Sequence, residues 1–125
     1  MKIILVGETK TGKSRWVLER FATQDPAFWI NNPTHKLQYD QGLPTIGADV
    51  FQLDGVNLWD CGGDPRLACL PEGYWLQADG MIVVSFMPEK WHDQICEVLQ
   101  CQIPAVYCQP HNIPSDILDT IKQVV

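Results

Sequence analysis

Eight residues near the N-terminus, Gly7-Glu8-Thr9-Lys10-Thr11-Gly12-Lys13-Ser14, have the types and spacing of a phosphate cradle. They fit G-x-x-x-x-G-K-[ST], the P-loop pattern. In such a loop backbone N–H groups converge on phosphate oxygens, and the helix that follows adds its positive N-terminal end. Lys13 is placed to reach the β- and γ-phosphates, and the Ser14 hydroxyl to ligate Mg²⁺. Arg15 is the next cation in line. Two further stretches carry the same chemistry. Trp59-Asp60-Cys61-Gly62-Gly63 is a D-x-x-G. Asp60 is the residue type that holds a Mg²⁺-bound water, because Mg²⁺ prefers hard oxygen and keeps several waters. The Gly63 N–H can approach a terminal phosphate with no side chain in the way. Pro44-Thr45-Ile46-Gly47 offers Thr45 as a second hydroxyl for the metal. The expected metal set is therefore Ser14, Thr45 and Asp60.

These residues need a scaffold that brings three separate stretches to one edge. Ile3 to Val6 is a continuous apolar run, as in a strand buried on both faces. Ser14 to Phe21 reads as a helix without a breaker. Residues 22–44 hold Asp25-Pro26, Asn31-Asn32-Pro33 and Asp40-Gln41-Gly42, so they read as a long loop. Its aromatics Phe28, Trp29 and Tyr39 either pin the loop to the domain or cover the ligand, Tyr39 being the candidate lid. Ala48 to Leu53 alternates as a strand, Asp54-Gly55 marks a hairpin, and Val56 to Trp59 returns. Asp60 to Gly63 then reads as a turn. Helical stretches lie within 67–78. Met81 to Phe86 is an apolar strand, and Glu89 to Gln100 a helix with Trp91, Ile95, Val98 and Leu99 on one face. Ile103 to Tyr107 is a fifth strand. Ser115 to Val124 is a last helix with Ile117, Leu118, Ile121 and Val124 inward. Alternating strands and helices predict an α/β fold, a mostly parallel sheet with one antiparallel hairpin strand and helices on both faces. Ligands of such sheets sit beyond the carboxyl ends of the strands. Gly7, Asp60 and Cys108 all fall there.

Composition narrows the class. The chain has 125 residues, enough for one domain with one core. Apolar content of 46% and a charged fraction of 19% are ordinary for a soluble globular protein. A net charge of −6 argues against nucleic acid as the main partner. Five cysteines without a C-x-x-C pair read as reduced thiols of an intracellular protein. No apolar run is long enough to span a bilayer, and no lipidation motif is present, Lys2 standing where myristoylation needs glycine. A monomer in the cytoplasm or nucleus is expected, and the economy of the chain suggests a compact genome such as a virus, acting inside a host cell.

Taken together, Gly7 to Ser14, Pro44 to Gly47 and Trp59-Asp60-x-x-Gly63 resemble the first three motifs of the Ras-like small GTPases. Within that superfamily the resemblance is nearest to the Ran branch. Gly73-Tyr74-Trp75-Leu76-Gln77-Ala78, Trp91-His92 and Ile103-Pro104-Ala105-Val106-Tyr107-Cys108 are similar to the corresponding stretches there. The resemblance implies a P-loop NTPase fold, a minimal G domain over 1–125, an inserted first switch region at 22–44 and a second at 61–76. It implies Mg²⁺ and GTP or GDP as cofactors, a Ran-like GTP-binding function, and nuclear-transport receptors or regulators as partners. The base would be met at Gln109, His111 and Asn112.

The chain departs from that pattern at four places. Asp64 stands at the catalytic position where the family has glutamine, a residue that orients the attacking water. Thr9 replaces a P-loop glycine and crowds the same space. Lys13 and Thr45 keep their catalytic positions. The guanine-reading N-K-x-D is missing after the fifth strand, and the last base-contact motif is absent. Weak or slow hydrolysis and reduced guanine selectivity are therefore expected. The alternative is a catalytically inactive Ran mimic that uses the surface around Trp59 and Tyr74 to Gln77. A P-loop kinase or ATPase is a third reading, for which no arginine-bearing lid or acceptor site is visible.

Overall fold

The computed structural model describes residues 1–45, 47–53, 55–62 and 71–125. The chain builds an α/β fold. Strand β1 (Lys2–Val6) is central, and the sheet order is β2 (Ala48–Leu53), β3 (Val56–Cys61), β1, β4 (Gly80–Val84), β5 (Ala105–Cys108). β1 runs parallel to β3 and to β4, β4 runs parallel to β5, and β2 pairs antiparallel with β3. The sheet is thus mixed and mostly parallel.

Among the described residues six helices flank it: α1 (Lys13–Gln24), α2 (Phe28–Asn31), α3 (Pro33–Gln41), α4 (Pro71–Trp75), α5 (Pro88–Leu99) and α6 (Ile117–Val124). The period-two alternation of strand side chains splits the core. Ile3, Leu5, Leu58, Ile82 and Val84 face α1, α2 and α6 through Val17, Leu18, Phe28, Ile117, Leu118 and Ile121. Ile4, Val6, Met81 and Val83 face α4 and α5 through Trp75, Ile95 and Cys96. The two-sided burial explains why β1 and β4 read as unbroken apolar runs. No described helix is long and apolar enough to cross a membrane.

Three expectations change. The stretch 22–44 is not a loop. Pro33 sits in the first turn of α3, where its missing N–H costs nothing, and Gly42 closes the helix with φ 62°. Pro and Gly are therefore helix boundaries here, not loop formers. Its aromatics hold the pair to the body: Phe28 is buried against Phe21, and Trp29 packs on Phe28 and Tyr39. Second, Asp60 and Cys61 continue β3, paired with Asp49 and Ala48, instead of turning. Third, Val124 is exposed, because α6 ends one turn after its last buried residue, Ile121. The predicted turn residue Asp54 and the helical reading of 67–70 lie outside the described residues.

If α2 anchors this segment, Phe28→Ala should lower the unfolding free energy by about 3–5 kcal/mol, the usual cost of emptying a buried phenylalanine site. Ile30, 82% exposed on the same short helix, should change it by less than about 0.5 kcal/mol when made Ala. Urea denaturation of the two variants measures both. Equal losses would show that α2 is not pinned through Phe28.

Candidate functional site

The loop 7–12 leaves the end of β1 and turns into α1. Gly7 has φ 145°, and a Cβ there would lie 2.0 Å from the Val84 carbonyl oxygen. Only glycine fits that approach between β1 and β4. Lys13 is buried, with its ammonium turned back into the loop, where it donates to the carbonyls of Gly7 at 2.9 Å and Glu8 at 2.8 Å. Burial lowers the Lys13 pKa from its ordinary value, against the opposing charge of Asp60. The Thr11 hydroxyl donates to the Glu8 carbonyl at 2.8 Å.

Beside the loop, three oxygen-bearing side chains from three elements meet. Ser14 is in the first turn of α1, Thr45 follows α3, and Asp60 is near the end of β3. The Ser14 hydroxyl donates to Asp60 Oδ2 at 2.5 Å and is hydrogen-bonded to the Thr45 hydroxyl. Thr45 Oγ1 also lies 3.4 Å from Asp60 Oδ2. Asp60 is 1% exposed, and its Oδ1 is buried without a hydrogen-bond partner among the described residues. Burial pushes the Asp60 carboxyl up to about 6, while the Ser14 bond and the Lys13 charge pull it down. One unused carboxylate oxygen beside two hydroxyls is a hard-oxygen donor set, the type that Mg²⁺ and Ca²⁺ take. The Gly62 N–H donates to the Gly47 carbonyl at 2.7 Å, and a Cβ on Gly62 would sit 2.5 Å from the Thr45 carbonyl oxygen. Glycine at 62 thus lets the Thr45 segment close onto the strand end.

A cavity of about 230 Å³ opens over this cluster. Thr9, Lys10, Gly12, Lys13, Ser14, Arg15, Tyr39, Thr45 and His111 are among its lining residues. Among the described residues the lining holds Lys10, Lys13 and Arg15 and no carboxylate, in a chain whose net charge is −6. The His111 N–H donates to the Thr11 carbonyl at 2.8 Å, which seats the segment after β5 on the loop.

Several predicted residues are placed differently from one another. Glu8 contributes backbone to the loop, but its carboxylate faces away, accepting from Ser85 Oγ at 2.8 Å and Trp91 Nε1 at 3.1 Å. Tyr39 lies at the cavity wall with the Arg15 guanidinium 4.4 Å from its ring, Trp29 beside it at 4.9 Å, and its hydroxyl donating to Glu19 at 2.6 Å. Its ring is thus already packed. Gln109 and Asn112 pair with each other in a short bridge and are exposed away from the lining. Gly63 and Asp64 lie outside the described residues.

Gln38 lines the cavity and was not expected there. Its Nε2 donates to Thr45 Oγ1 at 3.3 Å. The signal was present in the sequence. With Pro33 read as a helix start and Gly42 as its stop, His35 and Gln38 fall three apart on one helical face.

No protein-family model matches the chain. Among curated proteins it is similar to the Ras and EF-hand domain-containing protein homologs of Caenorhabditis elegans and Caenorhabditis briggsae. Each is 27% identical over 113 residues, covering 84% of this chain and 17% of the relative. It is also similar to the EF-hand calcium-binding domain-containing protein 4B of Homo sapiens, 25% identical over 113 residues, with 84% of this chain and 15% of the relative covered. The chain therefore spans less than a fifth of the length of these relatives. They overturn the Ran resemblance. Their names carry Ras and EF-hand domains and none carries Ran, so the relationship supported is one with proteins that bear EF-hands. The Ran-like GTP-binding function, the Ran-mimic alternative and the nuclear-transport reading fall with it. The surface proposed for the mimic is also partly occupied: Trp59 packs into the α4–α5 face of the core with the Lys2 ammonium 3.8 Å over its ring.

The buried carboxylate has a testable sign. Asp60 holds its proton more tightly in the folded chain, at about 6, than at its ordinary 3.8. Its contribution to stability is full below the lower value and is lost as pH rises through the higher one. With EDTA present, Asp60→Asn should stabilise the protein at pH 8 by on the order of 3 kcal/mol. The gain should vanish near pH 4. Urea denaturation at the two pH values reads the difference, and an equal gain at both would remove burial of charge as the cause.

Proposed function

We propose that the loop 7–14, with Thr45 and Asp60, binds the phosphates of a nucleoside polyphosphate together with Mg²⁺, on a fold of the P-loop NTPase type. One observation supports it above the others. Among the described residues, a cavity at the carboxyl edge of the sheet collects three cationic side chains and no carboxylate, on a chain that is acidic overall. Anions are drawn to such a focus of positive charge. β1 and β3 are neighbours, and their connections leave to opposite faces of the sheet, toward α1 and toward α4. That is a topological switch point, the usual crevice for a ligand in an open α/β sheet.

In this reading the loop backbone and the α1 N-terminus meet the phosphates, and Lys13 swings its ammonium between the loop carbonyls and the phosphate oxygens. Ser14, Thr45 and Asp60 hold the cation or its waters. Mg²⁺, when bound, neutralises phosphate charge and fixes the polyphosphate's orientation. The cavity is smaller than the roughly 300–1,000 Å³ of a site that encloses a whole ligand. It suits the phosphate end, with the nucleoside projecting toward His111 and solvent. The base is left unassigned.

The relatives' names support a second reading, that the same oxygens take Ca²⁺ with no phosphate. The chain contains no D-x-[DN]-x-[DN]-G-x₅-E calcium loop, and among the described residues no group of three or more His, Cys, Asp or Glu is placed to hold a metal. A single carboxylate with two hydroxyls suits Mg²⁺, which keeps its own waters, better than Ca²⁺, which wants six to eight oxygens.

Thermal unfolding separates the readings. ATP or GTP with Mg²⁺ should raise the midpoint, by about 2.7 kcal/mol of stabilisation at roughly one hundred times Kd, and Lys13→Ala should abolish the shift. Stabilisation by Ca²⁺ alone, with no effect of either nucleotide, would favour the second reading. No response to any of these ligands would overturn both.

A further inference from the structure

We propose that Gln38, on α3, is a positioning residue for the divalent cation. It sets the Thr45 hydroxyl so that an oxygen lone pair faces the cation position. The inference rests on the Mg²⁺–polyphosphate reading above and adds to it a role for the segment between α1 and β2.

The hydroxyl of Thr45 has one proton to donate and two lone pairs to offer. The Ser14 proton goes to Asp60 Oδ2, so in the Ser14–Thr45 hydrogen bond Thr45 donates, and its proton is used there. One lone pair accepts from Gln38 Nε2 at 3.3 Å. That leaves one lone pair for a cation, in a cluster where Asp60 Oδ1 is buried without a partner among the described residues. Without the Gln38 donor the hydroxyl is free to rotate, and its lone pairs are no longer aimed. The carboxamide is itself held. Its Oε1 lies 3.4 Å from His35 Nδ1, which fixes Nε2 toward Thr45. The His35 ring is stacked on Phe28 at 6.2 Å and an interplanar angle of 12°, and it meets Phe51 at 5.5 Å. Both phenylalanines are buried in the core. A chain of contacts therefore runs from the core through His35 and Gln38 to the cation-facing oxygen. The turn after α3 supports it, with the Leu43 N–H donating to the Gln38 carbonyl at 3.0 Å. That bond brings Thr45 back beneath the helix that carries Gln38.

The test titrates Mg²⁺ into the protein held with ATP and, separately, with GTP, following bound nucleotide by equilibrium binding. Gln38→Met keeps the length of the side chain and removes its donor, and Gln38→Ala removes both. The half-saturating Mg²⁺ concentration should rise about fivefold in each variant, the loss expected of one hydrogen bond. Nucleotide binding in EDTA should change by less than twofold. A purely structural role would weaken both equally or neither. Wild-type protein whose nucleotide binding depends on Mg²⁺, with Gln38→Met showing the same dependence, would overturn the assignment of Gln38 alone. Wild-type protein with no Mg²⁺-dependent binding would overturn the underlying reading and this inference together. If Gln38→Ala does not fold, Gln38→Met decides.

Discussion

A carboxylate removed from water organises this molecule. Burying an ionised group is costly unless other groups replace its hydration. Asp60 receives that replacement from three directions: the Ser14 hydroxyl on α1, the Thr45 hydroxyl before β2, and the charge of Lys13. Lys13 and Ser14 belong to the first turn of α1 and Thr45 to the connection before β2, so one side chain ties the first helix, the connection into the hairpin and the central sheet together. The compensation is incomplete, since Oδ1 has no partner and the carboxyl still titrates near 6. A residue that costs stability in this way needs a reason, and buried titratable groups with shifted pKa in a cleft mark functional sites. The unfilled acceptor beside two hydroxyls supplies one.

The backbone around it is shaped by approach distances more than by propensity. Gly7 admits the Val84 carbonyl, and Gly62 admits the Thr45 carbonyl. These contacts draw the loop after β1 against the end of β4, and the Thr45 segment against the end of β3. The Lys13 ammonium, bonded to the carbonyls of Gly7 and Glu8, holds the curve of the loop from inside. Glu8 holds it from outside through Ser85 and Trp91, which links the loop to β4 and α5. The loop is thus braced on both sides, and preorganisation of that kind lowers the ordering cost of binding.

Much of the scaffold was legible because it obeys periodicity. The apolar runs of β1 and β4, the alternation of β2 and the amphipathic α6 each report their own burial pattern. The meeting of Ser14, Thr45 and Asp60 beside the loop follows residue types at fixed spacing that the sequence displays. The segment 22–44 was misread because Pro and Gly have two meanings. Pro33 and Gly42 look like turn formers in isolation and are the two ends of α3 in the fold. That error hid Gln38, whose role depends on Thr45 lying seven residues later beneath the same helix, a relation set by tertiary packing. The pairing of Asp60 and Cys61 into β3 was hidden likewise, because the partner strand supplies the hydrogen bonds that the local sequence does not announce.

The resemblance to Ran failed for a related physical reason. Gly7 to Ser14 and Asp60 match short patterns of residue type and spacing, which speak to local chemistry and not to a branch of proteins. The finer similarities fall on residues with structural duties. Trp75 and Ala78 are buried beneath the sheet, and Cys108 closes β5 in the core. Trp91 donates to Glu8, and His92 is hydrogen-bonded to the Tyr107 hydroxyl at 2.6 Å. Those positions serve packing and hydrogen bonding within this fold. Similarity there follows from the shared scaffold, and function has to be argued from the site grafted on it. In this chain the candidate for that site is the cationic cavity beside Asp60, built by the loop, the Thr45 segment and the end of β3.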